Sequence, residues 1–350
     1  MPGDRGRLRP SLQLAALVVL TLLAPAGLRL AGAWRAQPAD AASSYLPAVQ
    51  GSRVRAPFDP TPIGDLARLN PGYVVIGDSM AGSRIDPLVL AQLTGRPIAP
   101  MMHAASGSAW WYLVLKNLVI PARIHPRAVL IFFRDTNLTN VTFRLDDGWM
   151  LDTAAAERED ELNAVILSAM EGPWYRVDRT IDAMYGADTA RRWIEPALTA
   201  EVGRTIVPSR RRRGAFMTSM NARFGLDHLR AMDAADLQAA EDREADFGRF
   251  VNRSALPLML RDARAAGLTL CFVRVQRRPV GGRPPYQSPA LRRYIRDLRR
   301  YIEANGGIFR DDTGDLALTL DMYEDGDHLK GSEHRVYTEI LYERLPSIFR

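Results

Sequence analysis

Cysteine and lysine are almost absent from this chain of 350 residues. The single cysteine, Cys271, excludes an intrachain disulfide, and its place in the apolar run Leu268 to Val275 predicts a buried, unreactive thiol. Only Lys116 and Lys330 are lysines, so arginine supplies almost all of the positive charge behind the net value of +6. This modest basic excess favours an anionic partner such as phospholipid headgroups or an acidic glycan. No nucleic-acid-binding motif accompanies it, and the sequence therefore predicts no nucleic-acid partner.

Histidine is scarce too, and its distribution excludes the usual metal-binding patterns. Besides His328 the chain has His103, His125, His228 and His334, and no two of them stand at a ligand spacing. We therefore expect neither a metal site nor a cofactor. Apolar residues, in contrast, make up 47% of the chain against 25% charged residues, a globular composition that can bury a sizeable core.

The N-terminus has the charge order of an export signal. Arginines between Arg5 and Arg9 precede the apolar run Leu12 to Leu23, and Ala31-Gly32-Ala33 resembles a small-residue cleavage site. The apolar stretch to Leu28 has 17 residues, the short end for a bilayer crossing. Two alternatives follow for residues 1–33, a cleaved signal peptide or an uncleaved inner-membrane anchor. Both predict that the rest of the chain is exported to a periplasmic or other extracytoplasmic location.

The remainder of the chain predicts one α/β domain that is preceded by a linker. Residues 34–70 are rich in Ala, Pro, Ser and Asp, and we interpret them as a linker with a strap onto the domain. Over residues 71–350, short apolar runs alternate with helical patterns, which predicts a mostly parallel sheet. This alternation is interrupted between about residues 138 and 250, which are predicted to form a helical insertion that covers the carboxyl edge of the sheet beside the site.

The individual elements follow from the apolar runs and the turn residues between them. The predicted strands are Tyr73 to Ile76, Ile98 to Ala105, Ala128 to Phe133, Leu268 to Val275 and a short one at Ile308 and Phe309. The predicted helices between and after them are Pro87 to Leu93, Trp110 to Ile120, Leu291 to Asn305 and Glu333 to Arg344.

Two short motifs carry the chemistry. Gly77-Asp78-Ser79 follows the first strand, so Ser79 is predicted to lie at the carboxyl edge of the sheet, where open α/β folds bind ligands. Asp325-Gly326-Asp327-His328 follows the last strand. An imidazole can take the proton of a serine hydroxyl, and a carboxylate behind the imidazole fixes its tautomer. Asp325 is the expected orienting residue, and the neighbouring Asp327 is the alternative.

Together these motifs resemble the first and last sequence blocks of the SGNH (GDSL-like) hydrolase superfamily. The resemblance covers roughly residues 73 to 137 and 268 to 345. It implies a flavodoxin-like three-layer α/β/α sandwich and a catalytic triad of Ser79, His328 and Asp325. It also implies an oxyanion hole made by the N–H groups of Ser79 and Gly107 and by the side chain of Asn137.

The third block departs from the family pattern. The family usually has Gly-x-Asn-Asp there, whereas this chain has Arg134-Asp135-Thr136-Asn137, without the glycine and the second acidic residue. Asn137 is the best match, with Asp135 or Arg134 as alternative occupants of the site. Purely structural roles are alternatives for both residues: Asn137 as a strand-end cap, and Gly107 as a turn glycine that needs a positive φ.

The resemblance implies acyl transfer through an acyl-enzyme. We expect an exported serine acyl-ester hydrolase or O-acyltransferase that acts on acetyl esters of a cell-envelope or extracellular glycan. The layout is similar to membrane-tethered relatives in polysaccharide acetylation systems, so a membrane acyltransferase is an expected partner. A non-catalytic SGNH-like protein that binds glycan or assists such an acyltransferase is the alternative.

Overall fold

The structure is a computed structural model. It describes Val19, Leu23 and residues 61–104, 106–143, 145, 159–170, 242–279, 285–324 and 327–349. Most of the predicted signal or anchor and most of the predicted insertion lie outside the described residues. The chain divides into two compact units, one formed by residues 41–170 with 235–350 and the other by residues 1–40 with 171–234. Of the second unit only Val19 and Leu23 are described, both in helical conformation.

A parallel sheet of five strands forms the centre of the first unit, in the order β2-β1-β3-β4-β5. The strands are β1 (Tyr73–Gly77), β2 (Ile98–Met102), β3 (Ala128–Phe133), β4 (Leu270–Arg274) and β5 (Ile308–Asp311). Every residue of β1 to β4 is buried, which is why these strands are continuous apolar runs in the sequence. The predicted α/β class is confirmed, and the strand order is that of a flavodoxin-like fold.

Helices cover both faces of this sheet. Those described are α1 (Thr61–Leu69), α2 (Ser79–Gly82), α3 (Pro87–Thr94), α4 (Ser108–Val114), α5 (Asp160–Ala169), α6 (Phe247–Phe250), α7 (Leu256–Ala265), α8 (Pro289–Ala304), α9 (His334–Arg344) and α10 (Pro346–Phe349). Val74 and Ile76 of β1 pack in one core with α4, α7 and α8, while Tyr73 and Val75 pack in a second core with α3, α9 and α10. Alternate side chains of one strand therefore belong to two separate cores, one on each face of the sheet, as expected when a sheet lies between two layers of helices.

Local signals in the sequence explain where several helices begin and end. Asp86 accepts hydrogen bonds from the first turn of α3, Pro87 occupies its first position, and Gly95 ends the helix with a φ of 65°. Ser288 caps α8 in the same way and is again followed by a proline. α4 continues directly as a π-helix over Leu115–Val119, a change of pitch that the sequence did not predict.

Two regions differ from the sequence-based expectation or extend it. Residues 61–69 were predicted as part of the linker and strap, but they form α1 and bury Leu66 completely against the core of α4. Within the predicted insertion, Leu162 and Ile166 of α5 join that same core, which lies on one face of the sheet. Most of the predicted cover over the site lies outside the described residues, so the cover stays a prediction.

The strand order positions the candidate site. The connection from β1 leads to β2 on one side, whereas β3 lies on the other side of β1. The carboxyl ends of β1 and β3 therefore flank a topological switch point, where α/β folds leave a ligand-binding crevice. Ser79 follows the end of β1, and Arg134 follows the end of β3.

Two glycines predict opposite stability changes. A Cβ on Gly77 would lie 2.6 Å from Cβ of Ala81 and 3.3 Å from Cβ of Phe132, so Gly77→Ala should destabilise by about 1–3 kcal/mol. Gly64 lies within α1, and a Cβ there meets no described atom within 4 Å, so Gly64→Ala should stabilise by about 0.5–1 kcal/mol. Urea unfolding measures both changes. A Gly77→Ala variant as stable as the wild type would contradict the tight packing beneath α2.

Candidate active site

The candidate nucleophile and base meet in the folded protein. Oγ of Ser79 lies 2.9 Å from Nε2 of His328, although the two residues are 249 positions apart. Ser79 is the first residue of α2, and the carboxylate of Asp78 caps that helix by accepting a hydrogen bond of 2.8 Å from the N–H of Met80. The sharp strand-to-helix turn thus presents the hydroxyl at the carboxyl edge of β1. Both sequence predictions, Ser79 and His328, are brought together here.

A small hairpin carries His328. Tyr323 and Leu329 form an antiparallel bridge, and the N–H of Glu324 donates to the carbonyl of His328 at 3.0 Å. The N–H of Leu329 also donates to Oγ of Ser83, the residue that ends α2, at 3.4 Å. The imidazole is therefore held by a loop whose backbone is attached to the same short helix that carries the nucleophile.

The contacts of Asp327 bear on which carboxylate, Asp325 or Asp327, orients the imidazole of His328. Its Oδ2 accepts a hydrogen bond of 2.7 Å from Nη1 of Arg134, and its Oδ1 accepts one of 2.8 Å from the N–H of Arg278. Both oxygens thus bind donors other than the imidazole. Asp325 lies outside the described residues. The contacts of Asp327 favour Asp325 as the orienting residue, and that assignment stays a prediction.

Gly107 lies near the turn that carries Ser79. The reason why this position requires glycine differs from the one expected from the sequence. It precedes α4 with a φ of −135°, so the interpretation as a turn glycine with positive φ is wrong. A Cβ at this position would lie 2.4 Å from the carbonyl oxygen of Phe143, and this close approach is what requires glycine. The neighbouring Ser106 donates its hydroxyl to the carbonyl of Gly77 at 3.3 Å, which places this segment against the end of β1.

Asn137 has the properties of an available amide donor. The residue is 7% exposed, and its backbone N–H donates to the carbonyl of Arg134 at 2.9 Å in the turn after β3. Its side chain forms no hydrogen bond with any part of the chain that the structure describes. A strand-end cap would use the side-chain amide on the backbone, so this interpretation is not supported.

Asp135 has a backbone conformation that usually belongs to glycine. It stands two residues before Asn137, which is the spacing of the glycine in the pattern that this segment resembles, and its φ is 44°, in the left-handed region that favours glycine. Its carboxylate accepts a hydrogen bond of 3.1 Å from Nε of Arg274 and another from Arg277. Burial acts to raise the pKa of Asp135, but these two guanidinium groups outweigh it and hold the pKa below its usual value. An ionised carboxylate has no proton to donate, so Asp135 is not suited to donate a hydrogen bond to an oxyanion.

Two buried arginines beside the site were not predicted from the sequence. Arg274 ends β4 and is 1% exposed, and Arg84 follows α2 and is fully buried. Arg84 donates to the carbonyl groups of Met80 at 3.1 Å and Gln276 at 2.9 Å. Arginine is rarely buried and carries no local signal of burial, so only the three-dimensional contacts identify these residues.

The chain shows no similarity to known proteins that would identify the chemistry of this site. No protein-family model matches the chain, and a comparison with curated proteins finds no similar sequence. Over the described ranges, no group of three His, Cys, Asp or Glu side chains is arranged to hold a metal ion. The lone Cys271 is buried, and burial raises the pKa of its thiol to about 12, as expected for an unreactive side chain.

The buried pair of Asp135 and Arg274 predicts a pH-dependent stability. Asp135→Asn should cost roughly 3 kcal/mol near pH 7, because Arg274 then loses its nearest carboxylate inside the protein. Since the folded pKa of Asp135 is lowered, its stabilisation is present above the unfolded pKa of about 4 and is lost as the pH falls through the folded pKa. Urea unfolding at a series of pH values should show the difference shrinking below about pH 4.

The matched control for this experiment is Asp297→Asn. Asp297 contacts Arg300 at 3.6 Å, and both side chains are about half or more exposed, so the variant should change stability little at any pH. A difference between wild type and Asp135→Asn that stays constant down to the lowest pH would contradict the assignment.

Proposed function

We propose that this chain is an exported SGNH-type serine acyl-ester hydrolase or O-acyltransferase that acts on acetyl esters of a cell-envelope or extracellular glycan. The observation that carries the proposal is the contact of 2.9 Å between Oγ of Ser79 and Nε2 of His328 at the switch point of the sheet. A serine and an imidazole in hydrogen-bond reach at a ligand crevice are the pair that nucleophilic acyl transfer requires. The motifs of the first and last family blocks, which supply these two residues, add support.

The first half of the proposed reaction forms an acyl-enzyme. Nε2 of His328 takes the proton of Ser79 as Oγ attacks the ester carbonyl carbon. The N–H groups of Ser79 and Gly107 and the amide of Asn137 are the proposed donors to the negatively charged oxygen. When the tetrahedral intermediate collapses, the imidazolium returns its proton to the departing alcohol oxygen, and the acyl group stays on Ser79. Asp325 would hold the imidazole and stabilise its charged form.

The second half of the reaction determines the class of enzyme. If water attacks the acyl-enzyme, His328 takes its proton, the bond between the acyl carbon and Oγ of Ser79 breaks, and the imidazolium returns the proton to Oγ. The product is then a free acid, which makes the protein an esterase. If a sugar hydroxyl attacks, the same proton transfer yields a new ester, which makes it an O-acyltransferase. The same side chains serve both outcomes, since water exclusion and the shape of the crevice select the acceptor.

The substrate class and the location depend on the N-terminal part of the proposal. The run of arginines before an apolar segment supports export, and an exported acyl-transfer enzyme of this layout would meet glycans of the cell envelope. A membrane acyltransferase that supplies the acyl group is the proposed partner for the transferase case. None of the helices in the described ranges is long and apolar enough to cross a membrane.

Ser79 and His328 are expected to act as one unit. Ser79→Ala and His328→Ala should each lower turnover roughly 10⁴-fold or more, and the double variant should be little worse, because members of a triad are strongly non-additive. Asp325→Asn should cost the same or less. Labelling with a fluorophosphonate probe, followed by mass spectrometry, should modify Ser79 in the wild type and fail in both alanine variants.

Substitutions of two exposed residues serve as controls. Ser332 and His125 are exposed, so Ser332→Ala and His125→Ala should label as the wild type does. A wild-type protein that resists labelling at Ser79 would support the alternative, a non-catalytic glycan-binding or accessory protein. If labelling succeeds, acetate release from acetylated polysaccharides with and without an acceptor sugar separates the esterase from the transferase.

The amide of Asn137 should contribute to stabilisation of the oxyanion. Asn137→Ala is expected to lower kcat on the order of 10²-fold with a much smaller effect on KM, because the donor acts mainly in the transition state. Asn140→Ala is the matched control, since Asn140 lies in the same segment but its Oδ1 already accepts a hydrogen bond of 2.9 Å from Thr142. A kcat of Asn137→Ala close to that of the wild type would move the role to backbone N–H groups alone or to Arg134.

A further inference from the structure

Asp327 stands directly before the proposed base, His328, and each of its two carboxylate oxygens accepts a hydrogen bond. Arg134, which donates to one of its oxygens, follows the last residue of β3, and Arg278, which donates to the other, lies four residues after β4. The residue next to His328 is thus attached to the carboxyl ends of two neighbouring strands. The opposite side of the same hairpin is attached to α2 through Leu329 and Ser83.

The ion pair between Arg134 and Asp327 is of the kind that restrains a loop. The side chain of Arg134 is 35% exposed and that of Asp327 is 17% exposed, so water screens this pair less than it screens one on the surface. The contact of 2.7 Å is a charge-assisted hydrogen bond, which is stronger than a neutral one. Arg134 is anchored by the sheet, whereas Asp327 belongs to a loop, and the restraint therefore acts on the loop.

We propose that Arg134 is a positioning residue. Through its ion pair with Asp327, it holds the imidazole of His328 within hydrogen-bond distance of Oγ of Ser79. This inference rests on the proposed function, because it assigns a catalytic consequence to the restraint. Displacement of a general base by about 1 Å can cost on the order of 10²-fold in rate. A chain that lacks the usual third block has, at its place, an arginine that links the end of β3 to the loop of the base.

The experiment compares four test variants and one control variant of the full chain. Arg134→Gln and Asp327→Asn each remove one charge, and their double variant completes a mutant cycle. Arg134→Lys keeps the charge, and because a single N–H of Arg134 contacts Asp327, a lysine can replace it. Arg261→Gln is the matched control, since it breaks an ion pair with Glu161 that joins α7 to α5 at a distance of 2.6 Å.

The first readout is catalytic. Arg134→Gln and Asp327→Asn should each lower both kcat and the rate of fluorophosphonate labelling roughly 10-fold to 100-fold, with KM changed less than about 2-fold. The double variant should resemble the single ones, and Arg134→Lys should recover most of the rate. Arg261→Gln should behave as the wild type. Unchanged labelling, additive single effects or a rise in KM at constant kcat would each overturn the proposal, and the last result would assign Arg134 to substrate binding instead.

The second readout does not depend on activity. The amide protons of Leu329 and Lys330 are bonded within or beside the hairpin, to Oγ of Ser83 and to the carbonyl of Met322. Hydrogen exchange of both should accelerate at least several-fold in Arg134→Gln and stay unchanged in Arg261→Gln. Equal exchange in Arg134→Gln and wild type would overturn the proposal even if the variant is inactive. A wild type that does not label at Ser79 would instead overturn the proposed function, while exchange would still decide whether the pair holds the loop.

Discussion

A single buried guanidinium connects the segments from which the site is built. Arg84 donates to the carbonyl of Met80, the residue after the nucleophile, and to that of Gln276, just beyond β4. Its positive charge lies 5.9 Å from the ring centre of Tyr323, at the start of the hairpin that carries His328, and 5.8 Å from that of Tyr337 in α9. Burial of an arginine is costly, and carbonyl dipoles and aromatic faces offset part of that cost. The distance between Ser79 and His328 therefore depends in part on the contacts of Arg84.

Gln276 extends this connection to the segment after β5. Its carbonyl accepts a hydrogen bond of 3.3 Å from the hydroxyl of Tyr323 in addition to the one of 2.9 Å from Arg84. Its side chain donates to the carbonyl of Leu318 at 3.0 Å and accepts from the N–H of Gly314 at 2.7 Å. Backbone groups that leave a parallel sheet have lost their ladder partners and must be satisfied by side chains. At this edge one glutamine and one arginine do so, and thereby fix the path of the chain toward the hairpin.

Much of this arrangement was predictable because its signals are local. Five apolar runs gave the strands, and the positions of Ser79 and His328 after the first and last of them placed both at one edge. The helix over residues 61–69 was missed, because it buries few side chains and stands in a proline-rich stretch. The contacts of Arg84 and the pairing of Arg134 with Asp327 were also missed, since partners separated by about 190 residues leave no periodicity to detect. The strands and the positions of Ser79 and His328 could thus be predicted from local sequence patterns. The long-range polar contacts could be identified only from the structure.

The turn after β3 depends on polar contacts of the same kind. Glycine adopts a left-handed turn most readily, and aspartate is among the few other residues that do so, as Asp135 does at a φ of 44°. A bare carboxylate there would repel the negative charge that acyl transfer develops nearby, and burial alone would favour its protonated form. Arg274 and Arg277 bind this carboxylate, and Arg274 also donates to Asp311 at 3.1 Å. The left-handed turn and an ionised carboxylate are thus accommodated together inside the protein, and in the proposed reaction the nearby amide of Asn137 is the uncharged donor to the oxyanion.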